Sequence, residues 1–495
     1  MSTNTRESAP NGADQHDGGN GAASNLTSEG YQKSLSRRHV QMIAMGGAIG
    51  VGLFMGAGGR LASTGPALVF SYALAGLIAY FLMRALGELI MYRQTSGSFV
   101  SYAGELFGPK GAFVSGWMYV LNWVMTGIAE LIAIGLYFQF FFPNVSVEVS
   151  ALCALVLLVA VNLFSAKAFG EVEFWASFLK VAAILLFLAT GTVLVIMNAQ
   201  VGETQASVGN LFAADGGMFP AGFLVSILVL NAVIFAYNGV ELVGITAGEM
   251  KNPEREVPKA IRAVVVRIVV FYIGSVLLLA MLLPSDQYKA GESPFVTVFA
   301  QLGVGWIGDV MNFVVIVAAL SSCNSGLYSL GRVFRTMANN GHAPSWLTRM
   351  SSRHVPFVAI LTVGAVYLVG ILVNIWLGGT YAFDLALNTA SIGVLFTWST
   401  IFACQIMLRR QKGRVSKLPM AGSPWTSWAG LISLTVIGFL ISFDTMVDPN
   451  TGEVFRLGLY TICCVPIMAV ALWLGWRKVR RNATAAGLEN ERIDA

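Results

Sequence analysis

Glu130, Lys180 and Glu241 are ionisable side chains that lie well inside long apolar stretches of this 495-residue chain. An ionisable group is costly inside a lipid bilayer, so one that is kept there most often has a function. A buried lysine can give up its proton and so act as a switch. We therefore predict that Lys180 and Glu241 take part in proton coupling. For Glu130, a carboxylate that hydrogen bonds hold in place for helix packing is the alternative to a functional role.

Four glycines interrupt the first of these apolar stretches, at positions 46, 47, 50 and 52. Inside a helix, each glycine costs about 1 kcal/mol relative to alanine. The cluster therefore favours a broken helix, whose free N–H and C=O groups are tolerated at membrane depth only where they face a cavity or a ligand. The amides at the start of its second half could bind an anionic substrate group. Close helix packing through small residues is the alternative.

The sixth apolar stretch has a second interruption, at Asn238 and Gly239. An Asn-Gly pair favours turn geometry. Because a carboxylate that faces lipid is expensive, the nearby Glu241 should face the bundle interior, a cavity or a polar partner. Interrupted segments in corresponding positions of two halves of a transporter point to a substrate site near the bilayer midplane. The sequence therefore predicts a ligand site where the first and sixth stretches meet.

Twelve apolar stretches supply the elements that position these residues, and we number them spans 1 to 12. The chain is 56% hydrophobic and only 12% charged, with a mean hydropathy of +0.68, whereas soluble proteins are about 25% charged. Each stretch can cross a hydrocarbon core about 30 Å thick. We predict an all-α integral membrane protein with 12 transmembrane helices. The spans cover residues 39–62, 66–91, 112–142, 148–165, 174–198, 220–247, 263–284, 303–331, 356–377, 383–408, 428–446 and 455–476.

Lysine and arginine are unevenly divided between the two sets of connections that alternate along the chain. One set holds nearly all of them, whereas the other holds only Arg60, Lys289 and Arg456. By the positive-inside rule, both termini are cytoplasmic. Residues 1–32 are rich in Ser, Asn and Gly and contain no apolar segment, which predicts a disordered cytoplasmic tail. We assign residues 479–495 to a second cytoplasmic tail.

No sequence motif points to an enzyme. The chain has no P-loop, no paired metal-ligand motif and no catalytic triad, and its five cysteines lie in apolar stretches without metal-ligand spacing. We therefore expect no enzymatic activity, no metal, no cofactor and no nucleic acid as a partner. The coupling ion that we expect, from Lys180 and Glu241, is a proton.

Arg84 and Glu88 are a further pair of charged residues, near the cytoplasmic end of span 2. They are four residues apart, a spacing that places two side chains side by side on a helix surface. We predict a structural ion pair between them.

Six short motifs give the chain a family resemblance. They are GAIGVGLF at 47–54, ALGEL at 85–89, SGSF at 96–99, FGEVEFW at 169–175, ELVG at 241–244 and AGESPFV at 290–296. With these motifs the chain resembles the amino acid–polyamine–organocation transporters, specifically their bacterial amino acid transporter family, over about residues 30–480. The resemblance implies a LeuT-like fold, in which spans 1–5 and 6–10 form two halves of inverted topology within residues 33–408. Spans 11 and 12, within 409–478, would be peripheral.

The resemblance also implies a substrate site for an amino acid and a role for each residue around it. The substrate carboxylate would meet the amides of Ile49, Gly50, Val51 and Gly52, and its ammonium would meet carbonyl oxygens near Met45, Gly46, Phe235, Ala236 and Asn238. Phe235 matches the position of an aromatic gate over the substrate. Lys180 matches the position where an ammonium stands in for a sodium ion, which implies proton coupling.

Within that family, the motifs GAGGRLA at 56–62, RALGEL at 84–89, NTASIG at 388–393 and SPWTSW at 423–428 resemble those of L-asparagine permeases. Residues 129–131, AEL, instead resemble the aromatic and 4-aminobutyrate permeases. Glu130 could accept hydrogen bonds from a substrate amide NH₂. We therefore expect a proton-coupled importer of L-asparagine in the cytoplasmic membrane that works by alternating access. A permease for an aromatic amino acid, 4-aminobutyrate or a small neutral amino acid, and an amino acid sensor that does not transport, are the alternatives.

Overall fold

The computed structural model describes residues 36, 38–39, 42, 49–95, 97–247, 253–303, 305–377, 379–443, 446–447 and 454–485. Met45, Gly46 and the tail predicted at 1–32 lie outside these residues. The last helix, Leu457–Ala485, continues into the segment assigned to the C-terminal tail.

Helices form nearly all of the described chain, and their bounds follow the predicted spans. Spans 1 and 2 contain Val51–Phe54, Gly56–Thr64 and Leu68–Tyr92; spans 3 to 5 are Ser98–Phe141, Val147–Phe164 and Ala166–Ile196. Span 6 contains Phe223–Leu228, Leu230–Ala236 and Leu242–Thr246, and span 7 contains Pro253–Val266, the π-helix Arg267–Gly274 and Ser275–Leu282. Pro294–Gln301 precedes span 8, and spans 8 to 12 are Gly305–Asn339, Phe357–Leu377, Gly379–Lys412, Trp425–Leu440 and Leu457–Ala485.

Short elements connect these helices. Two small antiparallel strand pairs depart from a purely helical chain, Gln200–Val201 with Thr204–Gln205 and Met446–Val447 with Val454–Phe455. The 3₁₀ turns are Gly65–Ala67, Val208–Phe212, Ser285–Gln287, Ser345–Thr348 and Ile441–Phe443.

The described residues contain ten helices that are long and apolar enough to cross a membrane. Two features separate this number from the twelve predicted spans. Spans 1 and 2 count together as Val51–Tyr92, although Gly65, with a φ of +70°, turns the chain between them. Span 6 is divided into helices that are too short to count.

Both of the predicted interruptions are present. Ile49 and Gly50 lie outside any helix, with Gly50 in an extended conformation, and the helix begins at Val51. In span 6, residues 237–241 form turns between Ala236 and Leu242. Gly239 has a φ of +92° there, a conformation that glycine adopts without steric cost. Gly50 therefore lies directly before a helix start and Gly239 lies in the turn between two helices, at the points where the sequence placed the breaks.

The centre of the bundle lies between spans 1, 3, 8 and 10. In the most apolar part of each helix, 67% of span 10 is buried within the protein, compared with 11% of span 12. Spans 3 and 10 approach so closely that a Cβ at Gly393 would lie 2.7 Å from the backbone of Asn122. This close packing holds one face of span 3 against the two helix breaks.

The ion pair predicted between Arg84 and Glu88 is wrong. Arg84 Nη2 donates to the carbonyl oxygen of Pro419 at 2.9 Å, and Glu88 binds Arg409 of span 10 through hydrogen bonds of 2.8 and 2.9 Å. Arg409 donates two parallel N–H bonds to the carboxylate, and such a bidentate pair is stronger than the single contact that Arg84 could make along span 2. Glu88 therefore pairs with Arg409 of span 10 and not with Arg84, its neighbour in span 2.

Candidate functional site

Lys180 binds the broken peptide of span 1. Its Nζ donates to the carbonyl oxygen of Ile49 at 3.0 Å and to the Ser321 hydroxyl of span 8 at 2.8 Å. Because the side chain is 0% exposed, Lys180 points into the bundle. The lysine thus links span 5 to the break in span 1 and to span 8.

Glu173 is a second buried charge beside Lys180, and the sequence analysis did not select it. Ser321 Oγ donates to Glu173 Oε1 at 2.5 Å, and Ser177 Oγ donates to the same oxygen at 3.2 Å. Ser321 therefore accepts from the ammonium and donates to the carboxylate, so it joins the two charges. The spacing held a usable signal, because Glu173 and Lys180 are seven residues apart and so share one face of span 5.

Glu130 of span 3 lies against the same break. A Cβ at Gly50 would be only 2.7 Å from Glu130 Oε1, so the carboxylate rests directly on the extended peptide. The Ser322 hydroxyl lies beside it, 3.0 Å from the same Cβ position. Its second oxygen, Oε2, is buried and has no hydrogen-bond partner among the described residues. Lys180 of span 5 and Glu130 of span 3 therefore both lie against the Ile49–Gly50 peptide.

Glu241 closes the break in span 6. Its Oε2 accepts from the Gly239 amide at 3.2 Å and from Trp398 Nε1 of span 10 at 3.4 Å, whereas Oε1 has no partner within the described chain. As predicted, the carboxylate faces the bundle interior, with 0% exposure. In this structure it holds the turn, and its role in proton coupling stays a prediction.

Arg267 is a buried cation that the sequence analysis missed. It is 1% exposed and begins the π-helix of span 7, an element that is frequent at functional sites. It lies near Glu241, Tyr237 and Tyr272, and the rings of the two tyrosines stack with their centroids 4.5 Å apart. The position inside the predicted span 7 was the available signal, since ionisable residues in such segments are functional candidates.

Asn238 forms a carboxamide pair with Asn122 of span 3. Each side chain donates to the other at 3.1 Å, and Asn238 Nδ2 also donates to Thr126 Oγ1 at 3.1 Å. Asn122, Thr126 and Glu130 follow one another at intervals of four residues, so they form a polar stripe on one face of span 3. The sequence analysis selected only Glu130 from this stripe, although the spacing was visible.

The two breaks touch through Gly52. A Cβ at Gly52 would lie 2.7 Å from Ala236 Cα and 3.1 Å from Phe235 Cδ1. The structure therefore brings the predicted site residues of spans 1, 3, 5 and 6 into one connected region, with Glu241 at the end of the span 6 break. Within the described residues, no group of three His, Cys, Asp or Glu side chains could hold a metal ion.

A helical membrane protein with two helix breaks in contact, and buried charges beside one of them, has the architecture of a small-solute transporter. Residues 39–485 match the sequence model of the amino acid permeases, and the chain belongs to this family.

Individual relatives are similar over almost their whole length. The chain is 46% identical to the L-asparagine permease of Salmonella typhimurium, over 92% of this chain and 91% of the relative. It is 46% identical to the L-asparagine permease of Streptomyces coelicolor, over 93% of both chains. It is 43% identical to L-asparagine permease 1 of Mycobacterium tuberculosis, also over 93% of both. The protein is therefore a multi-pass membrane protein of a family of transporters, and these relatives are permeases, not enzymes.

Proposed function

We propose that this protein imports L-asparagine together with a proton across the cytoplasmic membrane. The observation that carries the proton-coupled mechanism is the bond from Lys180 Nζ to the Ile49 carbonyl oxygen, at the break that touches span 6. Relatives that are 43–46% identical are L-asparagine permeases, which supports asparagine as the substrate. The alternation of basic loops supports twelve spans with both termini in the cytoplasm.

The two breaks suit the two charged ends of an amino acid. A helix start offers N–H groups and the positive end of the helix dipole, so the substrate carboxylate binds the amides around Val51 and Gly52. A helix end offers carbonyl oxygens, so the ammonium binds those of Phe235 and Ala236. Phe235 packs against Gly52, in a position to close over the substrate.

The polar stripe of span 3 suits the side chain of asparagine. A carboxamide carries both donors and an acceptor, and the paired carboxamides of Asn122 and Asn238 offer the same groups in return. A substrate amide that inserts between the two carboxamides keeps all of these groups hydrogen-bonded, whereas a side chain without an amide that separates them leaves buried polar groups without partners. This chemistry favours asparagine over the aromatic and small neutral amino acids.

Lys180 supplies the proton switch. When charged, its ammonium holds the Ile49 carbonyl oxygen and bonds Ser321, which bonds Glu173. When Lys180 loses its proton to the cytoplasm, its hydrogen bond to the Ile49 carbonyl oxygen weakens, and span 5 holds the span 1 break less tightly. Spans 1 and 6 then move relative to the rest of the LeuT-like inverted repeat, and the site opens alternately to the two sides.

Uptake into proteoliposomes tests this function. Purified protein is reconstituted, an inward proton gradient is imposed, and accumulation of radiolabelled L-asparagine is followed with unlabelled competitors. We expect concentrative uptake that a protonophore abolishes and that unlabelled asparagine, but not phenylalanine, 4-aminobutyrate or alanine, competes. Lys180→Met should lose the response to the gradient. The matched control is Lys167→Met, because Lys167 is on the same helix but exposed.

Three outcomes would contradict parts of the proposal. Uptake that ignores the gradient would exclude proton coupling. Competition by phenylalanine or 4-aminobutyrate, but not by asparagine, would assign the protein to another substrate. Asparagine binding to wild-type protein without any uptake or exchange would identify a sensor.

A further inference from the structure

An apolar groove of about 430 Å³ runs along the outer surface of the bundle, between span 3 and span 12. Spans 3, 8, 9 and 12 all contribute apolar side chains to its lining. These side chains include Phe113, Trp117, Val124, Phe334, Val366 and Ala471. Only 11% of the most apolar part of span 12 is buried within the protein, so this helix packs loosely and leaves the groove beside span 3.

A cluster of aromatic rings closes one end of this groove. The ring centroid of Phe113 lies 5.6 Å from that of Trp476 and 6.1 Å from that of His342. Trp117 Nε1 donates to the carbonyl oxygen of His342 at 3.3 Å. Because tryptophan concentrates at the boundary between lipid and water, this end of the groove lies at the level of the lipid head groups.

Exposed cations from two spans flank the same end. Lys110 precedes Phe113 by three residues, so it lies on the face of span 3 that forms the groove. On span 12, Lys478 follows Ala471 by seven residues, and Arg480 follows the tryptophan of the ring cluster by four. Helical spacing therefore places positive charge from both helices beside the head-group end of the groove.

We propose that this groove is a binding site for one anionic phospholipid. An acyl chain lies along span 3 over Trp117 and Val124, and the phosphate binds between Lys110 and Lys478. The chain covers apolar side chains of four spans, which stabilises the complex in proportion to the area covered. Basic pockets between transmembrane helices are known to bind anionic head groups.

The charge at the end of the groove favours a lipid over a second copy of this chain. In a symmetric dimer the same patch meets itself, so the cations of each copy would repel those of the other. The orientation proposed above, with both termini in the cytoplasm, places these cations at the leaflet where anionic lipids concentrate.

The bound lipid would lie behind the polar stripe of span 3. Asn122 and Thr126 are each two residues from Val124, which turns them about 200° away from the groove around the helix. The lipid therefore packs against the back of the helix that carries the stripe. Lipid binding itself requires no substrate, so it is tested separately from transport.

Counting of bound lipids tests the proposal. Purified wild-type protein in detergent is titrated with phosphatidylglycerol, or with phosphatidylcholine of the same acyl chains, and lipids bound per protein are counted by native mass spectrometry. We expect one phosphatidylglycerol to bind about tenfold more tightly than phosphatidylcholine. Lys110→Gln/Lys478→Gln should remove this preference, and Ala471→Phe, which fills the groove, should weaken the binding of both lipids.

Two controls separate the groove from general charge. Lys167→Gln/Lys417→Gln removes two exposed cations of other spans and connections and should bind phosphatidylglycerol like wild type. Glycerol phosphate, which carries the anion without an acyl chain, should not compete. Size-exclusion profiles of all variants show whether each one folds.

Some results would overturn the proposal. Equal binding of the two lipids by wild-type protein would do so even if no variant folds. An equal loss of phosphatidylglycerol in Lys110→Gln/Lys478→Gln and in the control variant would assign the preference to the total charge of the protein. A dimer in light scattering that Ala471→Phe dissociates would assign the groove to a second copy of the chain.

Discussion

Glu88 and Glu130 are both buried carboxylates in central helices, and their surroundings differ sharply. Glu88 accepts two hydrogen bonds from Arg409, one from Gln405 at 3.0 Å and one from the Met420 amide at 2.7 Å. Glu130 has one oxygen on the span 1 break and the other without a partner among the described residues.

The difference lies in how completely each carboxylate is hydrogen-bonded. The Glu88–Arg409 cluster joins span 2 to span 10 and to the connection before span 11, and each of its oxygens is satisfied. A buried pair in which every oxygen is hydrogen-bonded fixes the helices that it joins in one arrangement. Glu130 instead contacts a break in the backbone, and its Oε2 has no hydrogen-bond partner among the described residues. Under the proposed function, incomplete hydrogen bonding, and not burial, distinguishes a carboxylate in the moving region from one that only joins helices.

The largest effect on stability is expected at the saturated cluster. Glu88→Ala leaves the Arg409 guanidinium largely buried without its counter-charge, and loss of one partner of a buried pair costs about 3–5 kcal/mol. Thermal unfolding in detergent should show a clear fall in melting temperature. Glu130→Gln should leave the melting temperature unchanged or raise it, because it removes an unsatisfied buried charge. A larger loss of stability in Glu130→Gln than in Glu88→Ala would contradict the view that the fully hydrogen-bonded Glu88 stabilises the fold more than Glu130 does.

A slightly smaller effect, on function and not on folding, is expected at the contact between the two breaks. Gly52→Val places side-chain atoms within 2.7 Å of the Ala236 backbone, so spans 1 and 6 must separate. We expect asparagine affinity to fall at least about 100-fold, equivalent to about 2.7 kcal/mol, in equilibrium binding. Gly438→Val in span 11 is the matched control, since the nearest heavy atom, Leu395 Cδ1, would be 3.8 Å from the Cβ. Equal binding by both variants would exclude a substrate site at this contact.

The carboxamide pair should give an intermediate effect. Asn238→Ala leaves the Asn122 carboxamide without its reciprocal partner, which costs about 1–3 kcal/mol when the group is buried. We expect weaker asparagine binding and a smaller advantage of asparagine over alanine, measured by competition against radiolabelled substrate. An unchanged preference in Asn238→Ala would show that the pair only joins spans 3 and 6.

The smallest effect is expected at an exposed ion pair. Lys417 and Glu254 are 2.7 Å apart, with 69% and 62% of their side chains exposed, and exposed pairs contribute about 0–1 kcal/mol. Lys417→Met should change neither the melting temperature nor uptake measurably. If the melting temperature of Lys417→Met falls as much as that of Glu88→Ala, then a short distance alone makes an ion pair stabilising in this protein. Burial and complete hydrogen bonding would not be required.

Local chemistry alone determined the outline of this protein. The apolar stretches, the breaks at Gly50 and Gly239 and the inward orientation of Glu241 were predicted, because length, glycine content and the cost of a charge in lipid act within one segment. The same reasoning selected Lys180 and Glu130 as residues of interest.

Only the tertiary structure decided which groups meet. Arg409 reaches Glu88 from a position 321 residues away, and Asn122 pairs with Asn238 across 116 residues. The link from Lys180 through Ser321 to Glu173 and the contact of Glu130 with Gly50 also join separate spans. Such contacts depend on how helices pack, and helical spacing indicates which residues share a face but not what that face will touch.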